Sequence, residues 1–212
     1  MNEKIISALS WRYAVQAFDS SKKVAQGDLE TILESARLSA NSFGLEAWKF
    51  IVVENPELRL KLKEAGYGQS KITDASHLIV VARRTDVREN IVAERIARTA
   101  QIVGAPESAF ADFKAMLDGA ISSRDDQALD SWIKSQTYIA LGSMMETASL
   151  LNVDNAAMEG FDPKAVDAVL GLPKKHLASV SMLALGYRAT DDAAATRPKV
   201  RRPFDEVVEF VK

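Results

Sequence analysis

Apolar residues recur at helical spacing along much of the chain. Leu29, Ile32, Leu33 and Ala36 fall at i, i+3, i+4 and i+7, with Glu30, Glu34 and Arg37 turned away, which predicts a helix over Asp28–Leu38. Ile5, Ile6 and Leu9 share one face of a shorter helix over Glu3–Ser10. Helices are also expected over Val87–Val103, Pro106–Leu117 and the long stretch Asp126–Leu151, where Trp132, Gln136, Ile139 and Ser143 fall on one side. Ala140, Gly142 and Ser143 would let that long helix pack closely on a neighbour. Asp162-Pro163 reads as an N-cap followed by proline at N1, and Gly171 as the C-cap of a short helix.

Strand signals are fewer. Trp48–Val53 is aromatic and β-branched, Leu78–Ala82 is a continuous apolar run, and Ala178–Arg188 is similar. Pro56–Ala65 fits two periods: Leu58, Leu60 and Leu62 alternate, whereas Leu58, Leu62 and Ala65 share a helical face. Pro56 favours the helix. Trp11–Phe18 follows neither period. Val207, Val208, Phe210 and Val211 form a β-prone tail beyond a polar loop. About seven helices and four or five strands, with no repeat or linker between them, predict one mixed α/β or α+β domain over residues 1–212.

Composition narrows the chemistry. The chain has 212 residues, a net charge of −2, two histidines and no cysteine. Disulfides, Cys-ligated metals and thiol nucleophiles are excluded, and a cage of histidines around a metal is not expected. The slightly acidic balance argues against nucleic-acid binding. No run is long and apolar enough to span a membrane, and the N-terminus lacks a signal-peptide pattern, so a cytoplasmic location is expected. Any difficult chemistry would belong to a bound cofactor.

Four cations fall within Arg197–Arg202, either as a solvated loop or as an anion site. Ser39-Ala40-Asn41-Ser42 is a connecting turn or a set of donors for a polar ring, and Glu159-Gly160 a tight turn or backbone amides offered to a flat ligand. His77 suits a structural role better than a catalytic one, and His176 sits in an exposed turn. No Walker loop or GxGxxG is present.

These pieces occur together, in order, in one family. Arg12-Tyr13-Ala14-Val15-Gln16-Ala17-Phe18-Asp19 is similar to an N-terminal Arg-x-Ser/Ala-x-Lys/Arg-x-Phe. Ser39–Phe50 resembles Ser-Pro-Ser-Ser-x-x-x-Gln-Pro-Trp-x-Phe. Asp74-Ala75-Ser76-His77, Glu159-Gly160-Phe161-Asp162, Leu185-Gly186-Tyr187 and Lys199-x-Arg201 follow. The ordered set, over about 200 residues, resembles the FMN-dependent nitroreductases, which are NAD(P)H-dependent flavin oxidoreductases.

The resemblance implies an α+β, three-layer fold whose central, mostly antiparallel sheet is flanked by helices, with a domain-swapped C-terminal tail. It implies FMN as cofactor and NADH or NADPH as reductant. Hydride would pass through flavin N5 to nitroaromatics, quinones or similar flat acceptors, in ping-pong fashion and with no protein nucleophile. Arg12, Lys199 and Arg201 would hold the FMN phosphate, with Tyr13 and Ala14 nearby. Gln16, Lys71 and Gln69 would reach the pyrimidine edge. Ala157, Met158, Glu159 and Gly160 would cover one face of the ring. Ala40, Asn41, Ser42 and Gly44 would come from the partner of a homodimer, Asp126–Leu151 would lie in its interface, and Val207–Val211 would wrap over the partner. Val103–Met116, with Phe110 and Phe113, would be a flexible wall over the pocket or simple core. Three departures from the pattern stand out: Gln16 where many members have Lys or Arg, Glu46-Ala47 in place of Gln-Pro, and Ala40 in place of Pro. Same-fold reductases of enals, enoates or pteridines, dehalogenases, and non-catalytic flavin-binding regulators are the alternatives.

Overall fold

The computed structural model describes residues 2–212. The sheet has four strands, β1 (Trp48–Val52), β2 (His77–Arg84), β3 (Asp154–Met158) and β4 (Leu177–Gly186), in the order β1-β2-β4-β3, all antiparallel. Helices cover both faces. α1 (Asn2–Trp11), α2 (Gln26–Arg37) and α7 (Asp126–Leu150) lie in one layer, and α3 (Pro56–Ala65) and α8 (Pro163–Leu170) in the other. The short α4 (Lys71–Asp74) precedes β2, α5 (Val92–Val103) and α6 (Ala111–Ser122) follow it, and α9 (Phe204–Val207) lies near the C-terminus.

The continuous apolar run at Leu78–Ala82 follows from those two layers. Leu78 and Val80 join Leu62 and Val166 on one face, and Ile79 and Val81 join Ile32 and Met144 on the other. A strand covered on both sides has no solvated face for polar alternation. Met182 and Ala184 of β4 face the first cluster, Leu183 and Leu185 the second. Each such aliphatic side chain contributes about 1.5–3 kcal/mol on leaving water.

Local signals decide most elements. Asn55 accepts from the backbone of Glu57 and Leu58, Pro56 takes the first turn, and Leu62 is fully buried while Leu60 is exposed, so the helical period holds over α3. Asp162 caps α8 in the same way, and Gly171 ends it at φ +62°. Five features depart from the sequence expectation. β3 is a strand although it begins with the buried polar pair Asp154-Asn155. α4 gave no sequence signal. Val87–Ile91 opens as a π-helical turn before α5. Phe110 lies in a separate 3-10 turn, and Phe110 and Phe113 pack against the core around Leu117, which answers to the core reading of those rings. Val207–Val211 is no strand: one short helix is followed by extended chain that pairs with nothing among the described residues.

No helix among the described residues is long and apolar enough to cross a membrane.

Candidate functional site

The stretch with no period, Trp11–Phe18, crosses the end of the sheet. Ala14 bridges to Asn155 at the start of β3, and Phe18 to Arg188 just after β4. Phe18 packs against Gly186, where an added Cβ would meet its ring at 2.8 Å and the Ser76 backbone nitrogen at 3.1 Å. Only glycine permits that approach. Arg188 then clamps the segment: its guanidinium lies 4.3 Å from the Trp11 ring centroid and 4.5 Å from that of Tyr13, and it grips the buried Asp154 carboxylate at 2.5–3.0 Å.

This clamp brings the two ends of the chain together. A cavity of about 500 Å³ is lined by Arg12, Tyr13, Ala14 and Gln16 on one side and by Ala194, Arg197, Lys199 and Arg201 on the other. Lys199 Nζ donates to the carbonyl of Leu9 at 2.7 Å and also to that of Arg12. Among the described residues, no carboxylate pairs with Arg12, Lys199 or Arg201. Burial lowers the Arg12 guanidinium below its ordinary range, and Arg201 lowers it further. Burial also lowers the Lys199 ammonium, with Arg12 and Arg201 adding to the effect. Crowded cations without counter-charges are the electrostatic form of an anion site.

A polar edge runs on from this cavity. Gln16 Nε2 donates to the Ala14 carbonyl at 2.7 Å, and Lys71 Nζ donates to Gln16 Oε1 at 3.3 Å. Burial lowers the Lys71 ammonium, while the Asp192 carboxylate works the other way. Lys71 opens α4, whose far end is fixed by the buried Arg59. That side chain donates to the carbonyls of Ile72, Ala75 and Ser76 at 2.6–3.3 Å. Gln69 Nε2 donates to the Gly160 carbonyl at 2.7 Å and to that of Gly66 at 3.0 Å, tying this turn to the end of β3. Ala157 and Met158 pair with Leu183 and Met182 of β4, and Glu159 and Gly160 emerge beyond them, exposed.

Ala40, Asn41, Ser42 and Gly44 are not part of this arrangement within one chain. Asn41 Oδ1 accepts from the Glu46 backbone at 2.8 Å, and the Ser42 backbone donates to Gln136 on α7 at 2.9 Å. Gly44, at φ +65°, lines a different cavity of about 770 Å³ with Leu33, Trp48, Phe50, Val52 and Arg95. Among the described residues, none lines both cavities.

Sequence reasoning missed Asp192, which is 5% exposed and accepts from the Tyr13 hydroxyl and the Gln16 backbone, both at 3.0 Å. It also missed the clamp at Arg188. The only signal for Asp192 was an acidic pair in a loop of small residues ahead of the basic cluster. His77 is half-buried with Nδ1 3.1 Å from Ser76 Oγ, and burial and Arg59 lower its imidazole, which fits the structural role.

A model of the nitroreductase family matches residues 9–187, so Lys199 and Arg201 lie beyond the matched span. A protein of Staphylococcus saprophyticus named an NAD(P)H nitroreductase is 37% identical over 223 residues, covering 100% of this chain and 99% of its own. A similarly named protein of Staphylococcus aureus is 40% identical over 222 residues, covering 100% and 97%. Among solved structures, a Bacillus subtilis protein described as a nitroreductase superposes with a TM-score of 0.86 at 22% identity, over 100% of both chains. A nitroreductase of Exiguobacterium sibiricum in complex with FMN gives 0.81 at 21% identity, over 98% of this chain and 97% of its own. The two structures share the three-layer fold, and the match over most of the sequence goes further: this chain belongs to the nitroreductase family.

Proposed function

We propose that the chain is an oxidoreductase that binds FMN, takes reducing equivalents from NADH or NADPH, and passes them to nitroaromatics, quinones or other flat acceptors. The observation that carries this reading is the convergence of Arg12, Lys199 and Arg201 on one cavity with no carboxylate among them. A phosphomonoester supplies the missing negative charge, and Arg grips such a group through two parallel hydrogen bonds. FMN supplies, when bound, a ring that accepts hydride and gathers negative charge along its pyrimidine edge.

The residues fit that group. Arg12, Lys199 and Arg201 hold the phosphate, and Tyr13 and Ala14 border it. Gln16 and Lys71 offer one neutral donor and one cation to the pyrimidine edge, with Gln69 bracing the turn that carries Lys71. Ala157, Met158, Glu159 and Gly160 form the wall against one face. No side chain here needs to act as nucleophile, which agrees with a chain of two histidines and no cysteine.

Two copies complete each site in this reading. Ala40, Asn41, Ser42 and Gly44 stand apart from the cationic cavity of their own chain and reach the partner's. Exposed apolar residues support the pairing: Ile6 and Leu9 on α1, Tyr138 and Ile139 on α7, and Phe204, Val207, Phe210 and Val211 in the tail. The outer edge of β1 has no strand beside it, and Trp48, Phe50 and Val52 line the 770 Å³ cavity, which suits an exchanged tail.

One preparation tests the whole reading. Purified protein should be yellow, sediment as a dimer with two FMN, and bleach anaerobically on adding NADH or NADPH. Initial rates with a quinone should give parallel double-reciprocal lines. A colourless monomer that takes up no FMN would overturn it.

A further inference from the structure

The cationic cavity has two walls that are far apart in sequence, and one buried carboxylate joins them. Asp192 Oδ2 accepts from Tyr13 Oη and from the Gln16 backbone nitrogen, both at 3.0 Å, and Oδ1 accepts from the Ala194 backbone at 2.9 Å. Ala189 donates to the Ala17 carbonyl at 2.9 Å, and Ala195 to the Asp192 carbonyl at 2.9 Å, so the loop is pinned on both sides of the side chain. Tyr13 and Gln16 line one wall of the cavity, Ala194 and Ala195 the other.

The chemistry of the three contacts requires an acid. All three partners donate to it, and the two backbone N–H groups can only donate. A carboxylate is acceptor-only, whereas an amide would turn its NH₂ against one of those N–H groups. Burial raises the Asp192 carboxyl, but the hydrogen bonds from Ala194, Gln16 and Tyr13 work the other way, and the carboxyl is held below its ordinary range. Burial and the same hydrogen bond push the Tyr13 hydroxyl up to about 12.

Among the described residues, no cation is hydrogen-bonded to this charge. Arg188 is engaged by Asp154, and the other cation that feels Asp192 is Lys71, which lies against Gln16. Inside a partly buried site, an unpaired charge acts over a longer range than in water.

We propose that Asp192 is a positioning residue for the flavin site: it locks the Tyr13–Gln16 wall to the Ala194–Arg201 wall, and its charge lowers the reduction potential of bound FMN. This rests on the flavin reading above. The locking role predicts a loss of FMN affinity when the contacts are broken. The charge role predicts a change in potential that a purely structural residue would not produce.

The test uses full-length protein reconstituted with FMN, reading the dissociation constant by flavin fluorescence and the midpoint potential by dye equilibration. Asp192→Asn removes the charge and should weaken FMN binding about tenfold, with a midpoint shifted to more positive potential. Tyr13→Phe keeps the charge and removes one contact. It should weaken binding a few-fold and leave the potential where it was. If Asp192→Asn does not fold, Tyr13→Phe alone decides the locking role. Asp192→Ser, which removes the charge but keeps a small acceptor, then reads the charge role and should shift the potential to more positive values. Wild-type affinity and potential in Asp192→Asn would overturn the proposal, as would unchanged affinity in Tyr13→Phe or an unmoved potential in Asp192→Ser. Failure of the wild-type protein to take up FMN would instead sink the flavin reading itself.

Discussion

Two groups of cations in this molecule have the same charge and opposite surroundings. At the end of β2, Arg84 donates to Asp86 at 2.6 and 2.9 Å and to Glu94 at 2.9 Å, and Asn90 adds a third bond to the Asp86 carboxylate at 2.8 Å. Hydrogen bonds to those carboxylates raise the Arg84 guanidinium and, in return, hold the Asp86 carboxyl far below its ordinary range. At the chain ends, Arg12, Lys199 and Arg201 crowd one another, and burial with mutual repulsion lowers Arg12 and Lys199. The first group has its counter-charges within the chain and serves the fold. The second lacks them among the described residues and is the group proposed to hold a phosphate. Charge count alone does not separate the two; the presence or absence of a paired carboxylate does.

The largest effect is expected where the charges are satisfied. Arg84→Met leaves Asp86, 8% exposed, without its guanidinium. Breaking one side of such a pair costs about 3–5 kcal/mol, measurable by urea unfolding, while FMN affinity should not change. The pH dependence follows from the sign of the Asp86 shift. Its folded-state value lies below the ordinary 3.8, so its contribution is fully present above that pH and is lost as pH falls toward the folded value. Arg84→Met should therefore lose much of the steep acid limb of the stability curve. An Arg84→Met protein as stable as wild type would show that the two groups do not differ in the way described.

A smaller effect with the opposite pattern is expected at the unsatisfied group. Among the described residues, the side chain of Arg201 bonds only to the Val200 carbonyl, at 2.7 Å, and is otherwise exposed. Arg201→Ala should weaken FMN binding about tenfold and leave the stability of FMN-free protein within about 0.5 kcal/mol. Relief of repulsion on Arg12 offsets any lost contact. The affinity difference between wild type and variant should narrow as salt is raised, because an exposed charge is screened. Isothermal titration at two ionic strengths checks both statements. A large loss of stability with unchanged affinity would move Arg201 into the first class.

How much of this was legible in the sequence depends on the range of the interactions involved. α2 could be read because Leu29, Ile32 and Ala36 bury one face of a single helix, and α8 because Asp162, Pro163 and Gly171 mark its ends. β2 could be read because a strand covered on both faces is apolar throughout. β3 could not. Asp154 and Asn155 make it look like a loop, and it becomes a strand through contacts with Arg188, Ser149 and β4. The site divides in the same way. The Lys199 and Arg201 cluster was visible as a run of charge, but its meeting with Arg12 came from a family resemblance, and the structure shows them on one cavity. Asp192 and Arg188 stayed hidden because each acts only on residues far away along the chain. The tail reads as strand because Val207, Val208 and Val211 are β-branched, yet it pairs with no strand among the described residues.

The smallest effect tests the junction between the cationic cavity and its polar edge, where a neutral residue stands beside a cation. Gln16 places Oε1 3.3 Å from Lys71 Nζ, and its backbone is held by Asp192. Gln16→Lys adds a second positive charge where the pyrimidine edge is proposed to lie. An added cation favours the reduced ring, on which negative charge collects. The midpoint potential of bound FMN should therefore become more positive. Two ammonium groups at that spacing repel, but Asp192 lies close to both and the edge is partly open to water, so the fold should tolerate the change. FMN affinity should change by less than about threefold, since phosphate contacts dominate it. Spectroelectrochemical titration decides the matter. A potential that stays fixed or falls would mean that Gln16 lies away from the ring edge, and that Lys71 alone supplies the charge there.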